Sequence, residues 1–552
     1  MSFYRPGEDD ATDAVVTAVL GPAEQPDGSA VPVVGPPAGM VAVAVAGLVD
    51  TGRGRGGGAL VVAGDARPGR GQPAVFCQPV VCARTVLRRD GRVQAEGWLP
   101  EQVRLGILER YLGPGMIEDL VADPGLGLAS GVRRRAMSLP LTARFVLAMT
   151  LLPEASYTEV MARLVGVLAR VPWRRVWRVP TAKVITRWRR RLGPEAMRRL
   201  FERVAGLIDA RPDWCGLVVC AVDGFHARLA DTTANRQRFG SSGTSDDSAG
   251  FPSLRAVLVS AARCRATLAA AADAAEVGEQ TLLARLVAAQ PEVFCAGRVF
   301  LMDRNFPGYE IIDAIRACHG HLIMRVKAGI TLTLIEWLPD GSYLAWLGKE
   351  HPRKVRVVEY DVDTPAGVSE LFCLATTLLD ERQYPAKAIA EVYPKRWTAS
   401  ETTIGENKTL ITDAGPSRGP ILRSGEPDLV LQEFHAWLAA GQLVRKAAHH
   451  ATTQTATRPL VGQVSFTATR HEITRSITQT LVTATTSLHA LTAAAQDASR
   501  AVLTRLVTTG RDRHSDRRRK HQPSFPRSKQ TTPTVRGKTS INLSRSPVHA
   551  ET

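Results

Sequence analysis

The stretch GLVVCAVD, residues 216–223, has the pattern of a buried strand that finishes on a carboxylate. Its valine-rich apolar run is typical of a strand inside a sheet, and Asp223 follows the last apolar residue. A second run of this kind, RVFLMD at 298–303, finishes on Asp303. Carboxylates at the ends of neighbouring strands meet at one edge of a sheet, where loops leave room for a ligand. The two aspartates are therefore predicted to lie together.

Further apolar runs surround these two strands. LRAVLVSAARC at 254–264 and GHLIMRVKAG at 320–329 have strand character, and the segment EQTLLARLVAAQ at 279–290 has helical periodicity. Such a mixture predicts an α/β core with a central sheet. Four more runs with strand character lie between residues 330 and 375 with no helix among them, which indicates a β-rich insertion carried by the core.

Upstream of the core the pattern is helical. Amphipathic periodicity begins at GWLPEQVRLGILERYL, residues 97–112, and continues through 139–168. A helical N-terminal domain is predicted from it. Further downstream, the apolar residues of 428–450 recur at helical spacing.

The segment 173–201 interleaves Trp with Arg and predicts a turn followed by two short basic helices. Because phosphate contacts require Lys or Arg, a helix here is a candidate for meeting a DNA backbone, through Arg187, Arg189 and Arg190. A solvated basic face explains the same residues equally well.

The two ends of the chain differ from its middle. Residues 1–95 are rich in Gly, Pro, Ala and Val without periodicity, and they are predicted to be a low-complexity, disordered extension. Residues 511–545 contain eleven Lys or Arg and two acids, which indicates a disordered basic tail. The predicted order begins with the extension at 1–95 and a helical DNA-binding domain at 96–205. The first part of the core follows at 206–329, then the insertion at 330–380 and the second part of the core at 381–450. A C-terminal region at 451–552 completes the chain.

The charge balance points to a polyanionic partner. Seventy Lys and Arg stand against 53 Asp and Glu, giving a formal net charge of +17. An excess of this size most often marks a protein that binds nucleic acid. A basic protein without such a partner is the alternative.

The cysteines and apolar runs indicate the compartment. The eight cysteines are scattered, without a CxxC pair or zinc-ligand spacing, so neither a disulfide framework nor a zinc site is predicted. The apolar stretch at 39–49 is too short to span a bilayer, and the first ten residues lack the charge pattern of a signal peptide. We expect a soluble intracellular protein with no membrane association.

The paired aspartates predict a metal site. Two carboxylates repel each other unless a cation lies between them, so Asp223 and Asp303 are candidate ligands of a divalent metal ion. A third carboxylate would allow a second ion and in-line phosphoryl transfer. The segment YPKRWTASETTIGENKT, residues 393–409, offers Glu401 and Glu406 on a predicted helix. For each acid alone, a helix cap or turn role is the commoner alternative.

Several motifs together resemble a known family. They are AVDGFHARLADTTANRQRFG at 221–240, LMDRNFPGYEI at 301–311 and LRSGEPDLVLQEFHAWL at 422–438. With them, the sequence from about Gly97 to about residue 450 resembles a DDE transposase of the insertion sequence 4 family. The stretch from residue 393 resembles the family signature Y-x2-R-x3-E-x6-K.

One position departs from that signature. Tyr393 and Arg396 fit, but the family spacing from Arg396 places the acid at Ser400, and the glutamate is Glu401. Lys408 lies at the family distance from Glu401. We therefore assign Glu401 as the third catalytic carboxylate, with Glu406 the weaker candidate.

The resemblance implies a fold and an activity. It implies a ribonuclease H-like mixed-sheet core with a β-rich insertion, preceded by a helical N-terminal domain. Asp223, Asp303 and Glu401 would hold two Mg2+ ions, for which Mn2+ can substitute. Tyr393, Arg396 and Lys408 would hold DNA phosphates near the cleaved end.

The same resemblance implies the partners. The protein would bind terminal inverted repeats and target DNA, act by cut-and-paste transposition as a homodimer on DNA, and work in the bacterial cytoplasm at the nucleoid. Two alternatives stay open, a catalytically inactive DNA-binding protein or repressor, and a nuclease that cuts without joining.

Overall fold

The structure is a computed structural model of the 552-residue chain. It describes residues 85–87, 93–95, 98–128, 137–170, 173, 177–240, 250–306, 308–327, 329–348, 352–364, 367–368, 371–408, 410, 421–457, 459–480, 482–483, 486–507, 540–543 and 550–551. Most of the predicted extension and most of the predicted basic tail lie outside the described residues.

Helices predominate at residues 99–205 and 427–503 and alternate with strands between these two ranges. They are α1 Leu99–Gln102, α2 Leu108–Leu112, α3 Met116–Ala122, α4 Leu139–Leu151, α5 Tyr157–Val165, α6 Ala182–Ala205, α7 Thr233–Phe239, α8 Glu279–Ala289, α9 Tyr309–Ala317, α10 Ala386–Val392, α11 Lys395–Lys408, α12 Pro427–Thr452, α13 Phe466–Gln479 and α14 Leu488–Leu503.

The strands lie mainly between residues 218 and 376. They are β1 Thr85–Leu87, β2 Val93–Ala95, β3 Val218–Leu229, β4 Ser253–Ala261, β5 Thr267–Ala274, β6 Arg298–Met302, β7 His321–Arg325, β8 Leu332–Trp337, β9 Tyr343–Leu347, β10 Arg353–Thr364, β11 Gly367–Val368, β12 Phe372–Thr376, β13 Ile421–Leu422, β14 Ser540–Leu543 and β15 Ala550–Glu551.

The chain forms two compact units. The first comprises the residues up to Leu200 together with Lys446–Arg458 and Val464–Leu506. The second comprises Phe201–Arg445, Pro459–Gln463 and the residues from Val507 onward. In its described residues the first unit is mainly helical, with the paired strands β1 and β2, and the second unit contains the large sheet.

The first unit is built around α4. Ser138 caps this helix by accepting a hydrogen bond from the backbone N–H of Leu141 at 3.3 Å. Eleven of its thirteen residues are buried, so α4 is a core helix with no polar face. Its buried Arg144 is paired with Glu109 at 2.7 Å and Glu118 at 2.9 Å, which satisfies the charge inside the unit.

The C-terminal helices complete the same unit. α13 packs on α5 and on α14, and α14 packs on α2. The hydroxyl of Ser476 accepts a hydrogen bond from the backbone N–H of Ile107 at 3.1 Å, although the two residues are 369 positions apart. The helical domain predicted at the N-terminal side therefore includes two helices from the far end of the chain.

Helix α6 bends where the sequence predicts two short helices. Gly193 has φ 70° and ψ 171°, and Pro194 follows it. Pro cannot donate the helical hydrogen bond, and the left-handed φ favours glycine, so the helical path is interrupted there.

The second unit has a sheet with a ribonuclease H-like centre. Its central order is β5-β4-β3-β6-β7. β4 is antiparallel to β3 and β5, whereas β3, β6 and β7 are parallel. α8 connects β5 to β6, and α9 connects β6 to β7. The prediction of a ribonuclease H-like mixed-sheet core is confirmed.

The strands predicted between 330 and 375 extend this sheet. β12 pairs with β7, β10 with β12, β9 with β10 and β8 with β9, all antiparallel. The β-rich segment thus continues the central sheet instead of forming a separate layer.

The two faces of the sheet bury different side chains. Val222 on β3 clusters with Leu282 and Leu283 of α8. Val219, on the opposite face of β3, clusters with Ile389 and Tyr393 of the α10 segment. Alternate residues of β3 therefore face α8 on one side and the glutamate-bearing part of the chain on the other.

Candidate active site

The strand register brings the two aspartates to the same level. Val218–Ala221 pairs in parallel with Arg298–Leu301, and Ala221 is opposite Leu301. Asp223 and Asp303 each lie two residues further along. Neighbouring strands are about 4.8 Å apart, so the two carboxylates start from adjacent positions, Asp223 on β3 and Asp303 directly after the end of β6.

The prediction that the first strand ends at Asp223 is wrong. β3 continues to Leu229 because Cys220–Arg228 pairs with β4 in a long antiparallel ladder. The pairing that ends near Asp223 is the parallel one with β6. Beyond Ala221 and Leu301 the two strands are no longer paired, so the ligand space predicted at a strand end is expected between them.

Local hydrogen bonds orient both aspartates. Asp223 Oδ1 accepts from the backbone N–H of Gly224 at 3.0 Å. Asp303 Oδ1 accepts from the backbone N–H of Asn305 at 2.8 Å. Both side chains are half-buried, so they are held in place and still reachable from solvent.

A further carboxylate, which the sequence analysis did not single out, lies beside them. Glu279 is the first residue of α8, and burial raises the pKa of its carboxyl, with Asp303 and Asp223 raising it further. An ideal Cβ built on Gly224 would lie 2.2 Å from Glu279 Oε1. An acid in the first turn of a helix is ordinary, so nothing in the local sequence marks this one.

Glu401 lies on α11, which packs against β3 and β4. The predicted third carboxylate is thus on a helix beside the strand that carries Asp223. The side chains of Glu401 and Lys408 are outside the described residues. Their roles stay predictions.

Glu406, the weaker candidate, forms ion pairs with two arginines. Its carboxylate pairs with Arg265 at 2.7 Å and with Arg445 at 2.7 Å. Arg445 is buried, so Glu406 neutralises an interior cation and ties α11 to α12 and to the β4–β5 turn. This pairing favours Glu401 as the acid that remains for the active site.

Tyr393 points inward. Its side chain is fully buried, and its hydroxyl donates to the carbonyl oxygen of Met302 at 3.0 Å. Burial raises the pKa of Tyr393 to about 12. The structure thus places this hydroxyl against the end of β6, one residue before Asp303, and not on a surface where DNA could reach it.

The neighbouring Arg396 and Trp397 pack with it. The Arg396 guanidinium lies over the Trp397 ring at 5.1 Å, and Trp397 meets the Tyr393 ring edge-on with centroids 5.9 Å apart. Arg396 is 7% exposed, so only a small part of it is accessible to a phosphate.

The three basic residues predicted on α6 are not equivalent. Arg187 and Arg190 are exposed. Arg189 is fully buried, its Nη1 donates to the Tyr157 hydroxyl at 2.5 Å, and its guanidinium lies over the Tyr157 ring. This is a correction to the predicted DNA contact of Arg189, because it holds α6 to α5 inside the first unit.

The motifs after Asp223 and after α11 meet each other. Thr232 Oγ1 donates to the carbonyl of Gly425 at 2.8 Å, and the buried Asn235 Nδ2 donates to the carbonyl of Ser424 at 3.0 Å. These bonds fix the chain between α11 and α12 against the end of β3. Both motifs therefore support the site without supplying a reactive group.

The donor chemistry fits a hard divalent cation. Asp223, Asp303 and Glu279 offer only carboxylate oxygens, the ligands that Mg2+ and Mn2+ take. Among the side chains that the structure describes, no three His, Cys, Asp or Glu are gathered closely enough to hold a metal ion as they stand. Like-charged carboxylates without a cation are expected to stay apart.

None of the helices that the structure describes is both long enough and apolar enough to cross a bilayer.

Comparison with known proteins places this core and site in a class. Residues 214–415 match the family described as Transposase DDE domain, which includes both aspartates and α11. A ribonuclease H-like core with this match defines a DDE transposase.

The N-terminal part of the chain identifies the family within this class. Residues 102–202 match Insertion element 4 transposase N-terminal. The transposase InsG for insertion sequence element IS4 of Escherichia coli (strain K12) is 26% identical over 346 residues, covering 61% of this chain and 74% of that protein. The chain belongs to the insertion sequence 4 family of DDE transposases, and its function is DNA transposition.

A solved structure, the piggyBac transposase synaptic complex with hairpin DNA, aligns with 68% of this chain and 80% of that chain. The TM-score is 0.36 and the sequence identity is 10%.

Proposed function

We propose that the protein cuts DNA at the terminal inverted repeats of its element and joins the released ends to target DNA, with Asp223, Asp303 and Glu401 as catalytic residues. The observation that carries the proposal is the register of β3 and β6, which sets Asp223 and Asp303 side by side. The packing of α11 on β3 supports Glu401 as the third acid.

The proposed cation site consists of carboxylates that backbone hydrogen bonds hold in a fixed orientation. The backbone N–H groups of Gly224 and Asn305 fix one oxygen of Asp223 and of Asp303. Two bound Mg2+ ions, or Mn2+ in their place, would stabilise the charge of the phosphoryl transfer and lower the pKa of the attacking hydroxyl group. Use of divalent metal ions is general in this family.

Basic residues would hold the DNA. Arg187 and Arg190 are exposed on α6, and the chain carries a formal net charge of +17. These features support a role of α6 at the phosphate backbone. Lys408 and the accessible edge of Arg396 are proposed at the cleaved end, whereas Tyr393 supports the site from inside. Because transposition joins two ends, we propose a homodimer on DNA, in the bacterial cytoplasm at the nucleoid.

The test is cleavage of labelled DNA carrying the element's own terminal repeats, with and without Mg2+. Wild type should nick at the repeat boundary and join the ends to a target only with the metal. Glu401→Gln should bind the same DNA in a gel shift and leave it uncut. Glu391→Gln, at an exposed position before α11, is the control and should cut like wild type.

Two results would contradict the proposal. Binding without cleavage by wild type would indicate a catalytically inactive DNA-binding protein or repressor. Cleavage without joining would indicate a nuclease.

A further inference from the structure

We propose that Glu279 is a further acid of the active site, which faces a bound divalent cation from α8 beside Asp223 and Asp303. This inference rests on the proposed function, since it concerns the same cation. It adds a carboxylate from the helix between β5 and β6, outside the three motifs that carry the family resemblance.

The first support is the space at Gly224. Glu279 Oε1 and Cδ lie 2.2 Å and 2.4 Å from where a Cβ of residue 224 would be. Any other residue type at 224 would therefore collide with the carboxyl group. Residues 222 and 224 face α8, so the missing side chain is what lets the carboxylate reach the backbone next to Asp223.

The second support is the surroundings of the carboxylate. Glu279 is half-buried, and it makes no hydrogen bond or ion pair with a residue that the structure describes. Arg255, whose positive charge acts on Glu279 without a direct bond to it, donates instead to His226 Nε2 at 3.2 Å and to the carbonyl of Val277 at 3.2 Å. A half-buried carboxylate close to two others is unfavourable unless something positive joins them.

Other acids of the same unit contrast with it. Asp273 on β5 pairs with Arg238 and Arg285, each at 2.8 Å, and Glu406 pairs with two arginines. The helix N-terminus favours an acid at position 279 through its dipole. The dipole does not explain why the carboxyl group packs on Gly224, whereas a cation shared with Asp223 and Asp303 does.

The experiment measures Mn2+ binding to the full chain by calorimetry, without DNA. Glu279→Gln should weaken Mn2+ binding by about tenfold or more, as expected for a group that contacts or orients around the metal. Glu292→Gln, at an exposed acid past the other end of α8, should bind like wild type. Asp303→Asn should lose binding, since it removes a proposed ligand.

Thermal melts of the same proteins give a second readout. Without metal, Glu279→Gln should melt at a higher temperature than wild type because a repulsive charge is removed. With saturating Mn2+ its gain in Tm should be smaller than that of wild type. A merely structural Glu279 would instead give a lower Tm without metal and an unchanged gain.

Gly224→Ala tests the geometry with every carboxylate kept. The added methyl group should displace Glu279 and weaken Mn2+ binding in the wild-type background. In a Glu279→Ala background, where no carboxyl group fills the space, the same change should have no effect on binding.

The outcomes separate the two proposals. Binding that is lost in Asp303→Asn but unchanged in Glu279→Gln overturns the role of Glu279 alone. Binding that is unchanged in both variants overturns the proposed cation site as well.

Discussion

The hydroxyl of Tyr393 donates a 3.0 Å hydrogen bond to the carbonyl oxygen of Met302, inside the second unit. Met302 is the last residue of β6, and Asp303 follows it. This bond links the segment before the glutamate helix to the strand that presents the second aspartate. A tyrosine that the family signature associates with DNA therefore lies where it can set the position of a proposed catalytic acid.

Tyr393→Phe is expected to lower both the stability of the protein and its cleavage activity. The Met302 carbonyl would lose its buried donor, at a cost of about 1–3 kcal/mol in the free energy of unfolding. Cleavage should fall while the affinity for terminal-repeat DNA stays as in wild type. Urea unfolding, a cleavage assay and a gel shift measure the three quantities. A variant with wild-type stability and weakened DNA binding would instead support the phosphate contact.

The two glutamates of α11 should behave in opposite ways. Glu406→Ala would leave Arg265 and the buried Arg445 without their shared carboxylate, and removing one partner of a buried pair typically costs about 3–5 kcal/mol. Glu401→Gln should keep stability close to wild type and abolish cleavage. Denaturant unfolding together with the cleavage assay separates them. A stable Glu406→Ala enzyme that cannot cut would exchange the two assignments.

Substitutions of the three arginines of α6 should have two different effects, on DNA binding or on stability. Ala at Arg187 or Arg190 should weaken DNA binding and lower the slope of log affinity against log salt by about 1 for each phosphate that the variant no longer neutralises. Ala at Arg189 should lower stability, because it removes the bond to Tyr157 inside the first unit. Salt titrations of DNA affinity and thermal melts of the free protein test this. An unchanged salt slope in both exposed variants would remove α6 from the DNA surface.

Most of the long strands of the sheet follow from the sequence, but β5 was missed, as were the short strands β11, β13, β14 and β15. The valine- and isoleucine-rich runs form β3, β4, β6 and β7, as their patterns indicate. β5, Thr267–Ala274, is alanine-rich, a composition that favours helix by intrinsic propensity. It is a strand because all of its residues except Leu268 pair with β4. Pairing with a neighbour decided its structure, and single-sequence periodicity does not contain that information.

A residue of the candidate site could be predicted only where a carboxylate follows an apolar, strand-like run. Asp223 and Asp303 each follow an apolar run, so their proximity could be inferred. Glu279 could not, because an acid at a helix start is common and its contact with Gly224 exists only after folding. Arg189 was misassigned for a related reason, since sequence shows charge but not which face of α6 is buried.

Stability should fall as the pH drops below neutrality, because partly buried histidines must gain a charge. Burial lowers the pKa of His226, His321 and His450, and nearby arginines lower it further in each case. A folded-state pKa below the unfolded value, about 6.5, means that the unfolded chain binds more protons. The stability is therefore present above pH 6.5 and is lost as the pH falls through the folded pKa.

His450 allows this to be tested at one position. Its Nδ1 lies 3.1 Å from the Tyr111 hydroxyl in the first unit, and Arg110 and Lys446 disfavour a charge there. His450→Gln keeps a polar group but cannot titrate, so its free energy of unfolding should change less between pH 7 and pH 5 than that of wild type. His489→Gln, at an exposed position, is the control and should keep the wild-type pH dependence. Equal pH dependence in wild type and His450→Gln would show that charging of His450 does not contribute to acid unfolding.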